Sequence, residues 1–330
     1  MPIVTLSDIA DAQSRIHGVT VRTRLIEFPA SMWGQTPSAG RSELRLFLKP
    51  ENQQPIGAFK LRGAYNKIAS LSEQERQRGV ISYSSGNHAQ GVAYAARALG
   101  VKAVIVMPNN APAIKRDATA KLGAEIVIVG PGSDERKTKA EELAARHGYS
   151  IVPPYNDEQI IAGQGTMGLE ILEDLPNVET VLVPVGGGGM ISGVAAAIKL
   201  SNPAVKVIGV EPELANDAQA SLHAGKIVRL SAEQVSRTIA DGLRTQSVGT
   251  INFEHMQKFV DDIITVKEGE IRQAMKLLAA NPPTVAEPSG AVAVAGFLFH
   301  RDQLPKTRQN VAIISGGNIE PAMLEEIRRS

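Results

Sequence analysis

The sequence predicts an α/β protein built on open, twisted, mostly parallel sheets flanked by helices. Short β-branched runs alternate with alanine-rich stretches that have the composition of helices. The runs are VKAVIVM (101–107), AEIVIVG (124–130), VETVLVPVG (178–186) and VKVIGVEP (205–212). Because these strands are almost wholly apolar, we expect them to be covered on both faces, which is typical of parallel sheets.

Several helix starts are marked by hydroxyl side chains that can cap a helix. Ser7 precedes the first amphipathic stretch, and we predict that it marks the start of the first helix. Ser72 is followed three residues later by Glu75, and Ser231 is followed by Gln234, which is the pattern of a capping box. We therefore predict helices that begin beside each of these serines.

The length and charge indicate a two-domain protein that binds a small molecule. A chain of 330 residues exceeds what one hydrophobic core usually supports, so two domains that share a cleft are expected. Such a cleft is where small-molecule chemistry takes place. The formal net charge is only +1, so neither nucleic acid nor an anionic membrane is expected as a partner.

The absence of cysteine excludes a disulfide framework, a thiolate nucleophile and any cysteine-based metal site. The N-terminal segment scatters charges among its apolar residues, which is not typical of a signal peptide. The longest apolar stretches, such as Ala291 to Phe299, are too short to span a membrane. The sequence therefore predicts a cytoplasmic protein with no membrane segment.

A run of four glycines, Gly186 to Gly189, follows an apolar strand and precedes a helical stretch. A glycine loop at a helix start aims several backbone N–H groups at one point, which suits a phosphate. The segment lacks the GK[ST] of a nucleotide P-loop and the G-x-G-x-x-G of a dinucleotide site. It predicts a monophosphate cofactor, and the alternative is a tight turn with close packing.

A second polar loop, SYSSGNHAQG (82–91), also lies between an apolar strand and an alanine-rich helix. Its candidate ligands are Ser84, Ser85, Asn87 and His88. Together with the helix N-terminus, these groups could bind a carboxylate and hydrogen-bond a ring hydroxyl. The alternative is a well-capped helix with a histidine at the surface.

Lys60 lies between the apolar residues Phe59 and Leu61, at the start of a helical stretch. Apolar surroundings disfavour a charged amine, and an amine whose pKa is lowered towards 7 can form a Schiff base. The alternative is an ordinary solvated lysine. Ser315 ends another buried-strand pattern, where its hydroxyl could meet a ring nitrogen or cap a following helix.

Two acidic residues, Glu211 and Asp217, follow an apolar strand and are six residues apart. Their carboxylates and the carbonyls between them could converge on a hard divalent cation. On these residues alone, two acids are a thin basis for a metal site. A solvated loop is then the better interpretation.

Taken together, the segments resemble the serine/threonine dehydratase and serine racemase family of fold-type II pyridoxal-phosphate enzymes. The resemblance spans nearly the whole chain, with the motifs in the family's order. The motifs are KPENQQPIGAFKLRGA, SSGNHAQGVAYAA, PVGGGGMISG, VEPE, RTIADGL, DDIITVKEGEI, AEPSGAVAVAG and IISGGN. Such an ordered set is far more specific than any one motif.

The resemblance implies a role for each candidate residue in binding pyridoxal 5′-phosphate. Lys60 would hold the cofactor covalently, with Phe59 packed beside its ring. Asn87 would hydrogen-bond the phenolic oxygen, and Ser315 would face the pyridine nitrogen. The phosphate would be bound by Gly186, Gly187, Gly188, Gly189 and Met190.

The implied activity is that of a dehydratase, which is an ammonia-lyase. It would convert an L-β-hydroxy-α-amino acid, such as threonine, serine, 3-hydroxyaspartate or a β-aryl serine, to a 2-oxo acid and ammonia. Lys60 would take the α-proton. The substrate carboxylate would be held by Ser84, Ser85, Asn87 and His88. Ala58 stands where the family usually has serine, which leaves the substrate preference open.

The resemblance also reverses the interpretation of the acidic loop. Relatives on the racemase side bind a divalent cation through a glutamate, a backbone carbonyl four residues later and an aspartate two residues beyond. Glu211, Ala215 and Asp217 match that pattern. A structural or activating Mg²⁺, or Ca²⁺ or Mn²⁺ in its place, is therefore expected.

Three alternatives to the dehydratase differ in what they require. A serine or aspartate racemase would use Lys60 and Ser85 as two bases on opposite faces of the cofactor. A non-catalytic protein that binds pyridoxal phosphate would not need to keep Lys60, Asn87, the glycine run and Ser315 together. A nicotinamide-dependent dehydrogenase would need the dinucleotide fingerprint, which this sequence lacks.

The resemblance further implies how the chain is divided and assembled. A large domain, residues 1–78 and 157–330, would carry the cofactor lysine and the phosphate loop. A small domain, residues 79–156, would carry the SSGNH loop. The family's habit also implies a homodimer.

Overall fold

A computed structural model of the chain describes residues 3–34, 44–84, 86–111, 113–130 and 133–329. Strands and helices alternate along it, so the predicted α/β class is confirmed. None of the described helices is long and apolar enough to cross a lipid bilayer.

The strands belong to two separate sheets. In chain order they are β1 (Ile26–Phe28), β2 (Arg45–Pro50), β3 (Val80–Tyr83), β4 (Ala103–Pro108), β5 (Glu125–Val129), β6 (Ser150–Ile151), β7 (Thr180–Pro184), β8 (Lys206–Pro212), β9 (Asp262–Val266) and β10 (Gln309–Ile314). The helices are α1 (Leu6–Ile16), α2 (Lys60–Ala69), α3 (Glu73–Arg78), α4 (Asn87–Ala98), α5 (Ala113–Lys121), α6 (Ser133–His147), α7 (Glu158–Asp174), α8 (Gly189–Ser201), α9 (Asp217–Ala224), α10 (Ala232–Ser236), α11 (Thr250–Phe259), α12 (Glu268–Ala279), α13 (Pro288–Phe299) and α14 (Pro321–Arg329).

The larger sheet has six strands in the order β1-β2-β10-β7-β8-β9. Among the described residues of this sheet, only the β1–β2 pair is antiparallel. One face of the sheet is covered by an apolar cluster that includes Val181 and Val194, and the other by a cluster that includes Leu182 and Ala291. Successive strand residues therefore point into opposite cores, which is why β7 is apolar and buried throughout.

The smaller sheet has four parallel strands in the order β5-β4-β3-β6. A large apolar cluster covers one face and contains Val80 and Val92. The same cluster includes Leu61, Ala64 and Ile68 from α2, so the helix that begins at Lys60 packs on the smaller sheet. A smaller cluster covers the opposite face.

The predicted helix starts are confirmed at two places and wrong at the third. Ser72 with Glu75 and Ser231 with Gln234 form capping boxes at α3 and α10. At α1 the cap is Thr5, not Ser7, because the Thr5 hydroxyl accepts the Asp8 N–H while the Asp8 carboxylate accepts the Thr5 N–H. Ser7 lies within the first turn of the helix.

The C-terminal ends of the central strands of the larger sheet converge on one edge. Ser315 follows β10, Gly186 lies two residues beyond β7, and Glu211 lies at the end of β8. In the smaller sheet, Ser84 follows β3. Ligands of open parallel sheets bind outside the carboxyl ends of the strands, so this edge is where a site is expected.

Candidate active site

Lys60 is the first residue of α2 and follows a β-bridge between Ala58 and Gly316. Its Nζ donates a hydrogen bond to the Pro154 carbonyl at 2.7 Å and lies 5.1 Å from the centre of the Phe59 ring. Burial lowers the pKa of the Lys60 amine to about 8. Neutral amine is therefore accessible near physiological pH, as a Schiff-base lysine requires.

A buried cluster of charged residues holds the helix that carries Lys60. Arg62 donates to Glu51 and to Glu170, with N–O distances between 2.7 and 2.8 Å. Lys49 pairs with Glu170, and the Thr23 hydroxyl donates to Glu51 at 2.7 Å. Two cations face two anions, so the cluster is neutral, and the Glu51 partners hold its pKa below the ordinary value although burial acts to raise it.

The glycine run forms a close-fitting cradle at the start of α8. Gly188 is the N-cap, and its φ of 91° lies in the left-handed region that favours glycine. A Cβ on Gly187 would lie 2.3 Å from the Tyr155 ring, and one on Gly189 would lie 2.9 Å from the Tyr155 Cβ. Met190 is buried beside them. A side chain at Gly187 or Gly189 would collide with Tyr155, so bare backbone is needed here, and the first N–H groups of α8 have no acceptor within the helix.

Tyr155 connects the lysine to the glycine cradle. It directly follows Pro154, whose carbonyl accepts the Lys60 amine. Its own ring lies against Gly187. The Pro154–Tyr155 segment therefore contacts both the Lys60 amine and the glycine cradle, although residues 60 and 186 are 126 positions apart in the sequence.

Ser315 lies next to the backbone of the lysine segment. Its carbonyl accepts the Phe59 N–H at 3.0 Å, and its hydroxyl donates to the Ser289 carbonyl at 3.3 Å. The side chain is 4% exposed. The neutral hydroxyl is thus adjacent to the lysine segment, where the resemblance expects a partner for a pyridine nitrogen.

Asn87 begins α4 and faces the segment after Ser315. Its Nδ2 donates to the Glu287 carboxyl at 2.6 Å, and its Oδ1 accepts from the Asn318 amide at 2.8 Å. A Cβ on Gly316 would lie 3.2 Å from the Asn87 Nδ2. The structure therefore brings together Lys60, Asn87, Ser315 and the glycine run.

The other residues of the SSGNH loop are placed less directly. Ser84 accepts the Gly86 N–H at 3.3 Å, and Ser85 lies outside the described residues. His88 is not at the surface: its ring is 3% exposed and its Nε2 lies 3.0 Å from the Val152 carbonyl. Burial, with a smaller contribution from Lys60, lowers the pKa of His88 to about 3, so the ring is neutral.

Glu287 is a functional candidate that sequence reasoning missed. It is 3% exposed, and it caps no N–H of α13 with its side chain. Burial and the nearby Asp241 raise the pKa of its carboxyl to about 8. The motif AEPSG contained it, but only the fold shows that the carboxyl meets Asn87.

The predicted metal ligands lie at the end of β8 and the start of α9, where Asp217 is close enough to Tyr155 to act on its pKa. Glu211 accepts the N–H groups of Ala218 and Gln219 at 3.1 and 2.7 Å. Both carboxylate oxygens of Asp217 are buried and accept no hydrogen bond of standard geometry from the described residues, although the backbone N–H groups of Asp217 and Val248 lie near enough to act to lower its pKa. Burial raises the pKa of Asp217 to about 8, and burial together with Asp217 raises the pKa of Glu211.

Unpartnered buried carboxylate oxygens beside a second carboxylate fit a hard cation in chemistry. Ala215, whose carbonyl is the third predicted ligand, is fully buried. The described residues contain no group of three or more His, Cys, Asp or Glu side chains arranged to hold a metal ion. A cation here would therefore depend on carbonyl oxygens as well as on the two acids.

The residues around Lys60 fit pyridoxal phosphate. The glycine cradle admits no side chain and suits a phosphate, the amine has a lowered pKa, and Phe59 offers an apolar ring beside it. Asn87 and Ser315 add one amide and one hydroxyl on nearby segments. An aldehyde, a phenolic oxygen, a ring nitrogen and a phosphate each find a suitable group.

Comparison with known proteins defines the class. Residues 29–316 match the family model described as pyridoxal-phosphate dependent enzyme. The chain therefore belongs to this family, as the resemblance predicted.

Particular relatives extend this family assignment. The chain is 46% identical over 325 residues to the L-threonine ammonia-lyase of Thermotoga maritima, covering 98% of this chain and 78% of the relative. It is 40% identical over 320 residues to the L-threo-3-hydroxyaspartate ammonia-lyase of Saccharomyces cerevisiae, covering 97% and 95%. Among solved structures, maize serine racemase superposes with a TM-score of 0.91 at 35% identity, covering 98% and 97%.

Proposed function

We propose that this protein is a pyridoxal-phosphate dependent ammonia-lyase that converts an L-β-hydroxy-α-amino acid to a 2-oxo acid and ammonia. The enzyme class predicted from the sequence is confirmed by relatives at 40% and 46% identity. The observation that carries the proposal is the buried amine of Lys60, which donates to Pro154 beside the tyrosine that packs on the glycine cradle, while the preceding Phe59 N–H is bonded to Ser315.

When bound, the cofactor supplies an electron-withdrawing ring that acidifies the substrate's Cα–H bond. We assign the acceptance of this proton to the Lys60 amine, because a pKa lowered to about 8 makes the neutral amine more accessible near neutral pH than it is for an ordinary lysine. The Pro154 carbonyl orients the amine. Because Phe59 N–H is bonded to the Ser315 carbonyl, the backbone beside Lys60 is held in place.

Ser315 favours elimination over transamination. A serine hydroxyl is neutral and does not hold a proton on a ring nitrogen as a carboxylate would. Its single O–H proton is held only by a long hydrogen bond of 3.3 Å to the Ser289 carbonyl, so it could turn to donate to an unprotonated ring nitrogen. A cofactor ring with no proton on its nitrogen would withdraw fewer electrons, so the neutral Ser315 would favour loss of the β-hydroxyl over transamination.

The substrate carboxylate is assigned to the loop around the start of α4, with Ser84, Ser85 and Asn87 as ligands. His88 contributes through the loop's conformation, since its ring is buried against Val152. Threonine and L-threo-3-hydroxyaspartate are the two leading substrates because relatives are named for each. L-threo-3-hydroxyaspartate carries one more carboxylate than threonine, and this carboxylate needs one more cationic or N–H partner in the site.

We also propose a divalent cation, Mg²⁺ in preference to Ca²⁺ or Mn²⁺, bound by Glu211, Asp217 and the Ala215 carbonyl. The unpartnered oxygens of Asp217 support this site. Because Asp217 lies close enough to raise the Tyr155 pKa, a cation there would act on the tyrosine that packs against the glycine cradle. The cation is expected to stabilise the site without touching the substrate.

A racemase activity is the second candidate, favoured by the likeness to maize serine racemase. It would use Lys60 and Ser85 as bases on opposite faces of the cofactor. The variant Ser85→Ala should abolish racemisation and leave elimination largely intact. An equal loss of both activities would contradict the two-base assignment.

The panel assay that tests the main proposal uses purified holoenzyme with L- and D-threonine, serine, threo-3-hydroxyaspartate and phenylserine, with and without magnesium. Oxo-acid release, ammonia and chiral composition are followed in the same samples. Rapid oxo-acid formation from an L-β-hydroxy amino acid is the expected result. Conversion between enantiomers with little oxo acid would make the protein a racemase, and neither product from any substrate would contradict both.

The remaining assignments are proposals supported by the family resemblance. We propose a small domain of residues 79–156 within a chain whose other residues form the large domain. The smaller sheet, which runs from β3 to β6, supports this division. We further propose a cytoplasmic homodimer.

A further inference from the structure

A continuous series of hydrogen bonds joins two side-chain amides and a carboxyl beside the place where we propose that the cofactor ring binds. The Asn318 Nδ2 donates to the Ile56 carbonyl at 2.9 Å and to the Asn87 Oδ1 at 2.8 Å. The Asn87 Nδ2 in turn donates to the Glu287 Oε1 at 2.6 Å. This series of hydrogen bonds begins at a backbone carbonyl four residues before Lys60 and ends at a buried carboxyl.

We propose that Asn318 and Glu287 are positioning residues that fix the Asn87 amide with its nitrogen, and not its oxygen, facing the cofactor's phenolic oxygen. This inference rests on the proposed function, which places the cofactor on Lys60 with its phenolic oxygen at Asn87. It goes beyond it by assigning a role to two residues that need not touch cofactor or substrate.

The direction of the chain is set by a backbone group. A carbonyl can only accept, so the Asn318 atom that faces Ile56 must be its nitrogen. The same nitrogen faces Asn87, so the Asn87 atom that meets it must be the oxygen. The Asn87 nitrogen then points to Glu287 and keeps one further N–H for a ligand. A flipped Asn87 would place its nitrogen against the Asn318 nitrogen, so that two donors face each other, and it would also place two acceptors against each other wherever the facing Glu287 oxygen carries no proton.

Two glycines make room for this chain. A Cβ on Gly57 would lie 2.4 Å from the Asn318 Oδ1, and a Cβ on Gly316 would lie 2.5 Å from the Glu287 Oε1. Gly57 also has a φ of 71°, and its carbonyl accepts the Gly317 N–H at 2.9 Å. Both glycines belong to the segments that flank Lys60 and Ser315. The backbone beside the proposed cofactor site therefore leaves room for both ends of the hydrogen-bond series.

Glu287 can serve as the acceptor in either protonation state. The charged groups that influence it are Asp241, from the turn before Arg244, and Lys115, from α5, and these two form an ion pair of 2.6 Å. The Lys115 charge is thus largely matched by Asp241. Glu287 is 3% exposed, and its Oε1 accepts from Asn87 whether or not its other oxygen carries a proton.

The consequence for the reaction concerns the phenolic oxygen. An N–H donor stabilises the charged form of that oxygen and lowers its pKa, whereas a carbonyl oxygen in the same place would raise it. Fixing the Asn87 amide would therefore fix the orientation of the cofactor ring and the protonation state of its phenolic oxygen. The sequence alone could not show this, because residues 87, 287 and 318 are far apart along it.

The test compares Glu287→Met with Glu287→Gln in the reconstituted holoenzyme. Both variants remove the carboxyl, and both side chains are unbranched and of similar length, but only glutamine can accept the Asn87 N–H. Two quantities are measured: kcat for oxo-acid release, and the pH midpoint of the visible absorption change of the bound cofactor. Melting temperature is recorded for each protein.

We expect Glu287→Met to lower kcat roughly 10- to 100-fold and to move the absorption midpoint to higher pH, the size expected for one hydrogen bond to a charged group. Glu287→Gln should recover most of the kcat and leave the midpoint below that of the methionine variant. Asn318→Ala, which removes the other hydrogen bond without adding charge, should shift the midpoint in the same direction as Glu287→Met.

Equal midpoints and equal kcat values for the methionine and glutamine variants would overturn the proposal, as would a lower melting temperature with no change in the midpoint. If Glu287→Met does not fold, the midpoint of Asn318→Ala decides. A failure of the proposed function can be distinguished from a failure of this proposal, because in that case the wild-type protein itself would bind no cofactor or release no oxo acid.

Discussion

The two sheets differ in how deeply they are buried and in what they contribute to the site. In the larger sheet β7 is buried throughout, and β8 and β10 are exposed only at their first residues. In the smaller sheet only β4 is wholly buried, while the edge strand β5 exposes Ile128 by 46%. The larger sheet carries the glycine cradle and Ser315, and the smaller one carries the loop that we propose to bind the substrate.

Lys60 lies at the junction of these two regions. Its helix packs with the apolar cluster of the smaller sheet, but Arg62 one residue beyond Leu61 is held by Glu51 and Glu170. Glu51 follows the end of β2, which belongs to the larger sheet. The Lys60 amine is therefore positioned by two kinds of contact: apolar packing of its helix against the smaller sheet, and buried ion pairs that join the helix to the larger sheet.

The largest effect is expected from the amine itself. Lys60→Ala should lower kcat for oxo-acid release by at least roughly 1,000-fold, since both the covalent cofactor link and the base are lost. Oxo-acid formation is measured with added cofactor, and Lys226→Ala at an exposed position serves as the control. Activity of Lys60→Ala within about tenfold of the wild type would contradict the assignment.

The second effect concerns the charged side of the junction. Arg62→Met should lower the free energy of unfolding by roughly 3–5 kcal/mol, because it leaves the buried Glu51 and Glu170 without their main partner. Urea denaturation followed by fluorescence or circular dichroism measures this loss. Arg146→Met, at an exposed position of α6, should change it by less than about 0.5 kcal/mol. Equal small changes in the two variants would show that the cluster does not hold α2.

The third effect is a pH dependence of cofactor incorporation. Burial lowers the Lys60 pKa from 10.5 to about 8 in the cofactor-free protein, and only the neutral amine attacks an aldehyde. The reconstitution rate should rise by roughly tenfold per pH unit below this value and level off above it. Stopped-flow absorbance measures the rate. A rate that still rises steeply towards the ordinary lysine pKa would contradict the shift, and Glu287→Gln should leave the plateau in place.

The smallest effect should come from the ion pair between Lys115 of α5 and Asp241, which joins the two regions near Glu287. Asp241 is 43% exposed at its side chain, so the pair is worth no more than about 1 kcal/mol. Lys115→Met should change KM or kcat by less than roughly fivefold, and the difference should shrink as salt is added. A large effect that is insensitive to salt would mean that the pair is more than a surface contact.

Much of the fold and of the site was predictable because its signals are local. The apolar strands, the glycine run and the capping boxes at Ser72 and Ser231 are visible in short windows of sequence. Each feature depends mainly on neighbouring residues, so the pattern is sufficient. The cap at Thr5 was not predicted because Thr5 and the serine at 7 are both possible N-caps two residues apart, and the sequence alone does not show that Asp8 pairs with Thr5.

The features that were not predicted depend on long-range contacts. Arg62 and Glu170 are 108 positions apart, and Asn87 and Glu287 are 200 positions apart. Singly, each charged residue is more often solvated than buried. Only the chain's folding brings opposite charges, or a donor and an acceptor, together out of water. The burial of His88, which excludes the alternative of a surface histidine, could not be predicted for the same reason, because its ring contacts the backbone carbonyl of Val152, the residue after β6.

The most direct test of the account is to locate the bound cofactor. The holoenzyme is reduced with borohydride, digested, and mapped by mass spectrometry for the peptide that carries the pyridoxyl phosphate group. We expect the modification on Lys60 at close to one per chain, with none on Lys49 or Lys115. Modification of another lysine, or of none, would contradict the central claim that the buried amine between the two sheets carries the cofactor.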